Sequence, residues 1–236
     1  MALLEKYQKF LVNYTKPEFQ PSFLHLTADG WKLLVRENLT PIIEDRLQMK
    51  QISDYVWADA YEDGKRRVLS FFFINDAFAT LKWGWNFDFV PKISGRKAVW
   101  ARTDKSICSH IYEVSQDFYD GTDDRKKTVM SRFRVDINDL EKGLLAKIQQ
   151  HKNVFCYLES LITEYYESTA SYDQILERIK HNMENSYYRF IQPENLIVQA
   201  FIEKRLGMQE KALRDLEALF ADERLKNEFI KKFQQL

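Results

Sequence analysis

Residues that interrupt helices and strands, or that form disulfide cross-links, are scarce in this sequence. The 236 residues include 7 Gly, 5 Pro and 2 Cys. Few Gly and Pro argue against long flexible linkers. Cys108 and Cys156 form neither a CxxC pair nor a disulfide framework, so we expect a reducing compartment. The glycine patterns of P-loops and dinucleotide-binding folds are absent as well, which argues against ATP or NAD chemistry by those routes.

The sequence also lacks a surplus of one charge and any long apolar run. Lys and Arg total 35, and Asp and Glu also total 35. Nucleic-acid binders usually carry a basic surplus, so nucleic-acid binding is not expected, although a basic patch can lie within a neutral total. No segment approaches the ~20 apolar residues of a membrane span. Glu5, Lys6 and Lys9 interrupt the first residues, unlike a signal peptide. We therefore expect a cytoplasmic protein without a membrane partner.

Standard catalytic and metal-binding motifs are missing too. There is no G-x-S-x-G nucleophile elbow. No two histidines stand three or four residues apart, as a helical zinc site requires. Cys108 near His110 is a thiol–imidazole candidate, and an inert Cys108 is the simpler interpretation. The sequence predicts no catalytic residue, no metal site and no cofactor.

What the sequence has in abundance is aromatic residues: 17 Phe, 12 Tyr and 5 Trp. Between Leu81 and Phe89 every odd position is large and apolar, and the even positions are polar or glycine. Strict alternation is typical of a half-buried β-strand, because successive side chains point to opposite faces. We predict that the apolar side is the inner face of a sheet. An exposed stacking platform for bases or sugars is the alternative.

The polar side of the same strand is the predicted binding surface. It carries Lys82, Asn86 and Asp88, and Gly84 would leave room there for a partner. Arg132 and Arg134 would join this surface if their strand lies beside it. A solvated, salt-bridged face is the alternative interpretation.

The order of elements predicts an α+β protein. Its centre is a four- to five-stranded antiparallel meander sheet packed on one face by long helices, with a C-terminal helical hairpin. Residues 1–190 are predicted as the α+β core domain and residues 191–236 as the hairpin with a capping helix docked on the core. The predicted strands cover residues 52–61, 66–74, 81–90, 98–102 and 129–137. The predicted helices cover residues 2–14, 28–49 with a kink or a new start at Pro41, 138–166, 171–189, 194–206 and 208–221.

The C-terminal segment resembles a single tetratricopeptide repeat. Residues 206–213, LGMQEKAL, are similar to the turn and second-helix start of that repeat, and Ala200 and Ala212 stand where it needs small residues. Gln199 and Glu203 depart from it, since the repeat prefers leucine and an aromatic there. A repeat array needs about three units to be stable. One hairpin docked on the main domain is therefore predicted, for packing or as a partner-binding groove.

Residues 27–137, with the string WGWNFDFVP, resemble uncharacterised bacterial α+β domains, some of which lie near toxin genes and are immunity-protein-like. The resemblance implies no catalytic residues. We therefore expect a non-catalytic protein-binding protein whose partner is another protein, a toxin in the immunity version. The alternatives are a hydrolase-like enzyme with a dispersed site, using carboxylates or His110 with Cys108, and a nucleic-acid-binding module. The sequence does not determine the oligomeric state.

Overall fold

The structure is a computed structural model that divides into two compact units. Unit 1 comprises Met1–Trp57, Leu69–Lys82 and Val114–Thr163, and unit 2 comprises Ala58–Val68, Trp83–Glu113 and Glu164–Leu236. The residues that the structure describes are 3–13, 23–74, 78–103, 105, 109–115, 117–118, 124–131, 134–136, 138–184 and 194–236.

The strands and helices alternate in the α+β manner that the sequence predicts. The strands are β1 Leu11–Val12, β2 Phe23–Leu26, β3 Lys50–Ser53, β4 Val56–Ala58, β5 Lys65–Phe73, β6 Phe78–Phe87, β7 Pro91–Ser94, β8 Lys97–Trp100, β9 Ile111–Glu113, β10 Met130–Ser131 and β11 Arg134–Asp136. The helices are α1 Leu3–Tyr7, α2 Ala28–Asn38, α3 Thr40–Leu47, α4 Arg125–Thr128, α5 Leu140–Ser168, α6 Tyr172–Glu184, α7 Glu194–Arg205, α8 Gln209–Ala218 and α9 Glu223–Gln234.

An antiparallel sheet forms the centre of the fold, as predicted. Its strand order is β10-β6-β5-β4-β3, and β9 also pairs with β6. The two partners use successive parts of β6: Ala79 faces Met130 of β10, and Trp83 to Trp85 face β9. Separate small sheets are formed by β1-β2-β11 and by β7-β8. Strand β6 therefore pairs with three strands of the sheet: β10 and β9 along one edge and β5 along the other.

The turn between β4 and β5 follows the Asp-Gly hairpin signal in the sequence. Asp63 and Gly64 have φ values of 48° and 79°. Glu62 and Lys65 form a bridge across this turn. Two consecutive residues with positive φ are the geometry of the turn that matches strand twist in a hairpin. The predicted hairpin is confirmed at this position.

Two predicted elements are wrong because pairing between distant segments overrides the local pattern. The helix predicted for residues 2–14 ends at Tyr7, and Leu11–Val12 pairs with β2 instead. The strand predicted for residues 129–137 divides into β10, which pairs with β6, and β11, which pairs with β2. Alternation alone does not tell one strand from two that join different sheets.

Helix ends follow local chemistry, but two caps lie one residue from Thr40 and Asn138, the capping residues that the sequence favours. A new helix starts at Thr40, with Pro41 in its first turn, where the missing amide hydrogen costs nothing. The cap position is Leu39, and the Thr40 hydroxyl accepts a hydrogen bond from Trp57 Nε1 at 3.3 Å. Asp139, and not Asn138, caps α5, because its carboxylate accepts from the Lys142 amide at 3.0 Å.

The C-terminal helices α7, α8 and α9 pack together within unit 2. Phe201 meets Phe233 edge-on at 5.5 Å between ring centroids. Gly207, with φ of 86°, forms the predicted turn between α7 and α8. Glu203, only 3% exposed, accepts from Lys211 Nζ at 2.6 Å. The buried carboxylate of Glu203 is thus paired with a partly exposed cation. None of the described helices combines the length and apolarity needed to cross a membrane.

Candidate functional site

The apolar side of β6 is buried, as the alternation predicts. Leu81 and Phe87 are completely buried, and Trp83, Trp85 and Phe89 are at most 6% exposed. The Trp85 ring meets the Tyr166 ring edge-on at 5.3 Å, and its Nε1 donates to Thr169 Oγ1 at 2.8 Å. A stacking platform for bases is therefore not presented by these five side chains, which form part of the core.

The polar side of β6 is covered at Gly84 and Asn86, and the room predicted at Gly84 is filled by β9. Gly84 lies opposite Tyr112 in the β6–β9 pair. A Cβ atom on Gly84 would fall on the Ile111 carbonyl oxygen and lie 2.6 Å from Tyr112 Cα. Glycine is required here because the backbone of β9 occupies the space that a side chain needs.

The five predicted binding residues are only partly brought together. Asn86 is 0% exposed, whereas Lys82 on β6 and Asp88, which follows the last residue of β6, are half-buried. Arg134 belongs to β11, in the three-stranded sheet rather than the sheet that contains β6. Arg132 lies outside the described residues. A role for this set in binding stays a prediction.

Asn86 is instead the centre of a buried hydrogen-bond network in unit 2. Its Oδ1 accepts from Arg66 Nε at 3.0 Å, and the Tyr61 hydroxyl lies within hydrogen-bonding distance of the same oxygen. The Tyr61 hydroxyl is also 2.6 Å from the Ala101 carbonyl oxygen, and its one proton serves one of the two acceptors at a time. Asn86 Nδ2 lies 3.1 Å from His110 Nδ1. The network joins four segments of unit 2.

His110 takes part in this network as a neutral acceptor. Its Nδ1 accepts from the Phe87 amide at 2.9 Å as well as from the Asn86 side chain, so its proton belongs on Nε2. Burial, helped by the charge of Lys92, lowers the pKa of His110 to about 3. The ring is thus held uncharged at neutral pH. Cys108, its proposed thiol partner, lies outside the described residues.

A cavity of about 660 Å³ opens beside this network, at the β4–β5 hairpin. We call it the Asp59 pocket. It is lined by Asp59, Ala60, Tyr61, Glu62, Asp63, Lys65, Arg66, Arg67, Trp85 and Ala170, all in unit 2. The sequence patterns described above do not predict this pocket. Residues 59–67, DAYEDGKRR, nevertheless carry a signal for it, because acidic residues precede a hairpin turn and basic residues follow it. Strand pairing then places the acidic and basic side chains next to each other.

Ion pairing and aromatic contacts hold the basic side chains of the pocket in place. Arg67 binds Asp59 with two hydrogen bonds, of 2.5 Å from Nε and 3.2 Å from Nη2. The Arg66 guanidinium, in a residue 3% exposed, lies 4.5 Å from the Tyr61 ring centroid. Both arginines are thus preorganised by neighbours within the pocket wall.

Lys65 lies against the aromatic floor of the pocket. Its Nζ is 4.9 Å from the Trp85 ring and 5.1 Å from the Tyr172 ring, and it donates to the Ala170 carbonyl oxygen. Burial lowers the pKa of Lys65 below its usual range. The ring contacts still favour the cation, so the pocket presents three positive and three negative groups around a tryptophan.

Comparison with protein families, with curated proteins and with solved structures found no match for this chain. Across the described ranges, no three His, Cys, Asp or Glu side chains converge as metal ligands would. The function is therefore argued from the site itself.

Replacing Asn86 by alanine is expected to lower the free energy of unfolding by about 2 to 3 kcal/mol, because buried partners of its amide lose their hydrogen bonds. Urea unfolding followed by circular dichroism measures this loss. The half-buried Lys82, replaced by alanine on the same strand, is the control and is expected to cost less than about 1 kcal/mol. A stability equal to that of the wild type would contradict the structural role of Asn86.

Proposed function

We propose that this protein acts by binding another polypeptide, without catalysing a reaction, and that the Asp59 pocket is the contact site. One observation carries the proposal: the half-buried Tyr61 and Arg67 line a single open cavity, whose wall also contains the buried Trp85 and Arg66. Tryptophan, tyrosine and arginine are the residue types that dominate the binding energy of protein interfaces.

The charges of the pocket support recognition of a segment that carries both signs. Glu62 and Asp63 are exposed at one side of the pocket, and Lys65 and Arg67 lie across the hairpin from them. Charged groups of both signs favour one register of a complementary partner and oppose others, which gives specificity. A polypeptide loop with alternating acidic and basic residues fits this pattern.

The rigidity of the pocket supports the same proposal. Asp59 fixes Arg67, the Asn86 network fixes Tyr61 and Arg66, and Thr169 fixes the Trp85 ring. A preorganised site loses less conformational entropy when a partner binds. His110, which lies in the network beside the pocket, already accepts two internal hydrogen bonds at Nδ1. The network therefore serves to hold the pocket wall in place.

The immunity role implied by the sequence resemblance suggests the first partner to test. In this version, the protein would bind a toxin encoded by a neighbouring gene and block it by occupying its surface. The partner's loop would enter the Asp59 pocket.

Filling the pocket is expected to abolish binding. Ala60 is exposed and lines the pocket, so Ala60→Trp introduces bulk without disturbing the core. We expect the affinity for the neighbouring toxin, measured by isothermal titration calorimetry, to fall at least about 30-fold, as loss of a hot spot of about 2 kcal/mol requires. Ala146→Trp is the matched control, because Ala146 is exposed and lines a different cavity.

The affinities of the two variants for the toxin distinguish the possible outcomes. Loss of binding in Ala60→Trp alone supports the pocket as the contact site. Equal affinities in both variants and the wild type overturn that assignment. Absence of any complex between the wild type and proteins encoded beside it overturns the immunity version. Circular dichroism of both variants controls for folding.

A further inference from the structure

A segment without acidic residues lies in unit 2, in a chain whose net charge is zero. Residues 89–103 contain Lys92, Arg96, Lys97 and Arg102 and neither Asp nor Glu. This segment includes β7 and β8, which form a two-stranded ribbon of their own. The basic residues are therefore gathered on one hairpin.

The register of the ribbon places two lysines on its outer face. Lys92 pairs with Val99, and Ser94 pairs with Lys97, so these four side chains share one face. The opposite face includes the buried residues Pro91 and Ala98. Arg96 lies at the turn, where residues 94–97 are all exposed. The tip of the ribbon is thus basic and exposed, and Lys92 on the same face as Lys97 is half-buried.

Helix α9 lies at the opposite face of the ribbon. Trp100 pairs with Pro91 on that face, Lys232 Nζ of α9 lies 5.0 Å from the Trp100 ring centroid, and the Arg102 guanidinium lies 4.1 Å from it. We define the basic ribbon surface as Lys92, Arg96 and Lys97.

These three cations have no internal counter-ion in the part of the chain that the structure describes. None of them takes part in an ion pair there. The Asp59 pocket differs in this respect, because its bases lie beside acids. A surface of uncompensated cations attracts a polyanion.

We propose that the basic ribbon surface binds the phosphodiester backbone of a nucleic acid. Lysine is depleted in protein interfaces, whereas lysine and arginine together neutralise phosphates. Two of the three cations are lysines, which favours a nucleic acid over an acidic polypeptide. A two-stranded ribbon also fits the major groove of duplex DNA. This surface and the Asp59 pocket share no residue, so the inference does not depend on the proposed function.

The experiment compares two triple variants of the full chain by fluorescence anisotropy. Lys92→Gln, Arg96→Gln and Lys97→Gln are combined in one variant, and Lys50→Gln, Lys126→Gln and Lys142→Gln, at exposed positions of unit 1, in the other. Both variants lose the same charge. The probes are a labelled 20-nucleotide DNA duplex and single-stranded DNA and RNA of the same sequence, at about 50 mM salt.

We expect the wild type to bind with a micromolar dissociation constant and the ribbon variant to bind at least about tenfold more weakly. The slope of log affinity against log salt on the duplex should decrease by about 2 to 3, since about 0.9 counter-ions are released per phosphate contact. The control variant should stay within about twofold of the wild type. The ranking of the three probes identifies which nucleic acid the surface prefers.

Three results would overturn the proposal. One is the absence of binding to every oligonucleotide at about 100 μM protein. Another is an equal loss of affinity in both triple variants, which would reflect overall charge alone. The third is competition by a poly-glutamate peptide as effective as that of an oligonucleotide of equal charge, which would assign the surface to an acidic polypeptide. Thermal unfolding of both variants verifies that they are folded.

Discussion

Replacing Gly84 by alanine is expected to lower the free energy of unfolding by at least about 3 kcal/mol, enough to unfold a marginally stable chain. The added Cβ would overlap the Ile111 carbonyl oxygen, and the atoms that must move belong to the backbone of β9. Backbone atoms cannot move aside as the end of a flexible side chain does. Relief of the overlap would separate β9 from β6. Urea unfolding followed by circular dichroism measures the loss.

Gly95→Ala is the matched control for this prediction. Gly95 has φ of 61°, and nothing lies within 4 Å of a Cβ placed there. Its replacement should cost only about 1 kcal/mol, through the strained backbone angle. If Gly84→Ala proves no more destabilising than Gly95→Ala, the close packing of β9 on β6 is wrong. The polar side of β6 would then be open, as first expected.

Acidification from pH 7 to pH 5 is expected to lower the free energy of unfolding by about 4 kcal/mol through two buried histidines, His110 and His151. Burial lowers the pKa of each to about 3, from the ordinary value of 6.5. Between pH 6.5 and pH 3 the unfolded chain therefore binds more protons than the folded protein. The contribution of these histidines to the free energy of unfolding is fully present above about pH 6.5 and decreases as the pH falls from 6.5 towards 3.

The environment of His151 shows why its protonated form is disfavoured. The ring lies edge-on to Trp31 at 4.5 Å, and its Nε2 lies 3.2 Å from the Ser131 carbonyl oxygen. Its Nδ1 is buried and has no hydrogen-bond partner in the described part of the chain, so an added proton there would find no acceptor. The charge of Lys147 opposes protonation further.

The measurement is urea unfolding at pH 7, 6 and 5. His151→Gln should remove about half of the pH-dependent loss, whatever it does to the stability at pH 7. His110→Gln should remove the other half of the loss, so the two single variants check each other. A total loss of less than about 1 kcal/mol in the wild type would show that the two rings are not held neutral by burial.

Much of the fold follows from local sequence patterns. The alternation from Leu81 to Phe89 predicts the buried side of β6 because period two and burial are directly related in a strand. Ser171 and Gln174 predict the start of α6, and they exchange the two hydrogen bonds of a capping box, of 3.2 Å and 2.9 Å. Asp63 and Gly64 predict a hairpin because few other residues adopt its backbone angles.

The candidate site was harder to predict, because it depends on contacts between distant segments. Alternation identifies Asn86 as polar and outward from the apolar face, but it does not reveal that His110 and β9 cover that side. The same pattern would describe an exposed asparagine. The Asp59 pocket is hard to predict because acids and bases around a hairpin turn are equally typical of turn residues and of a solvated surface. Strand pairing places these acidic and basic side chains together in the lining of one pocket.

The central claim is that the Asp59 pocket contacts another polypeptide, and site-specific photo-cross-linking tests it most directly. A photo-reactive amino acid is placed at Ala60 in one variant and at Ala146 in another, and each is irradiated in the native host. If the pocket is the contact site, we expect one dominant cross-linked polypeptide from position 60 that is absent from position 146. We also expect that the same polypeptide fails to bind Ala60→Trp. The same cross-links from both positions, or none from position 60, would contradict the account.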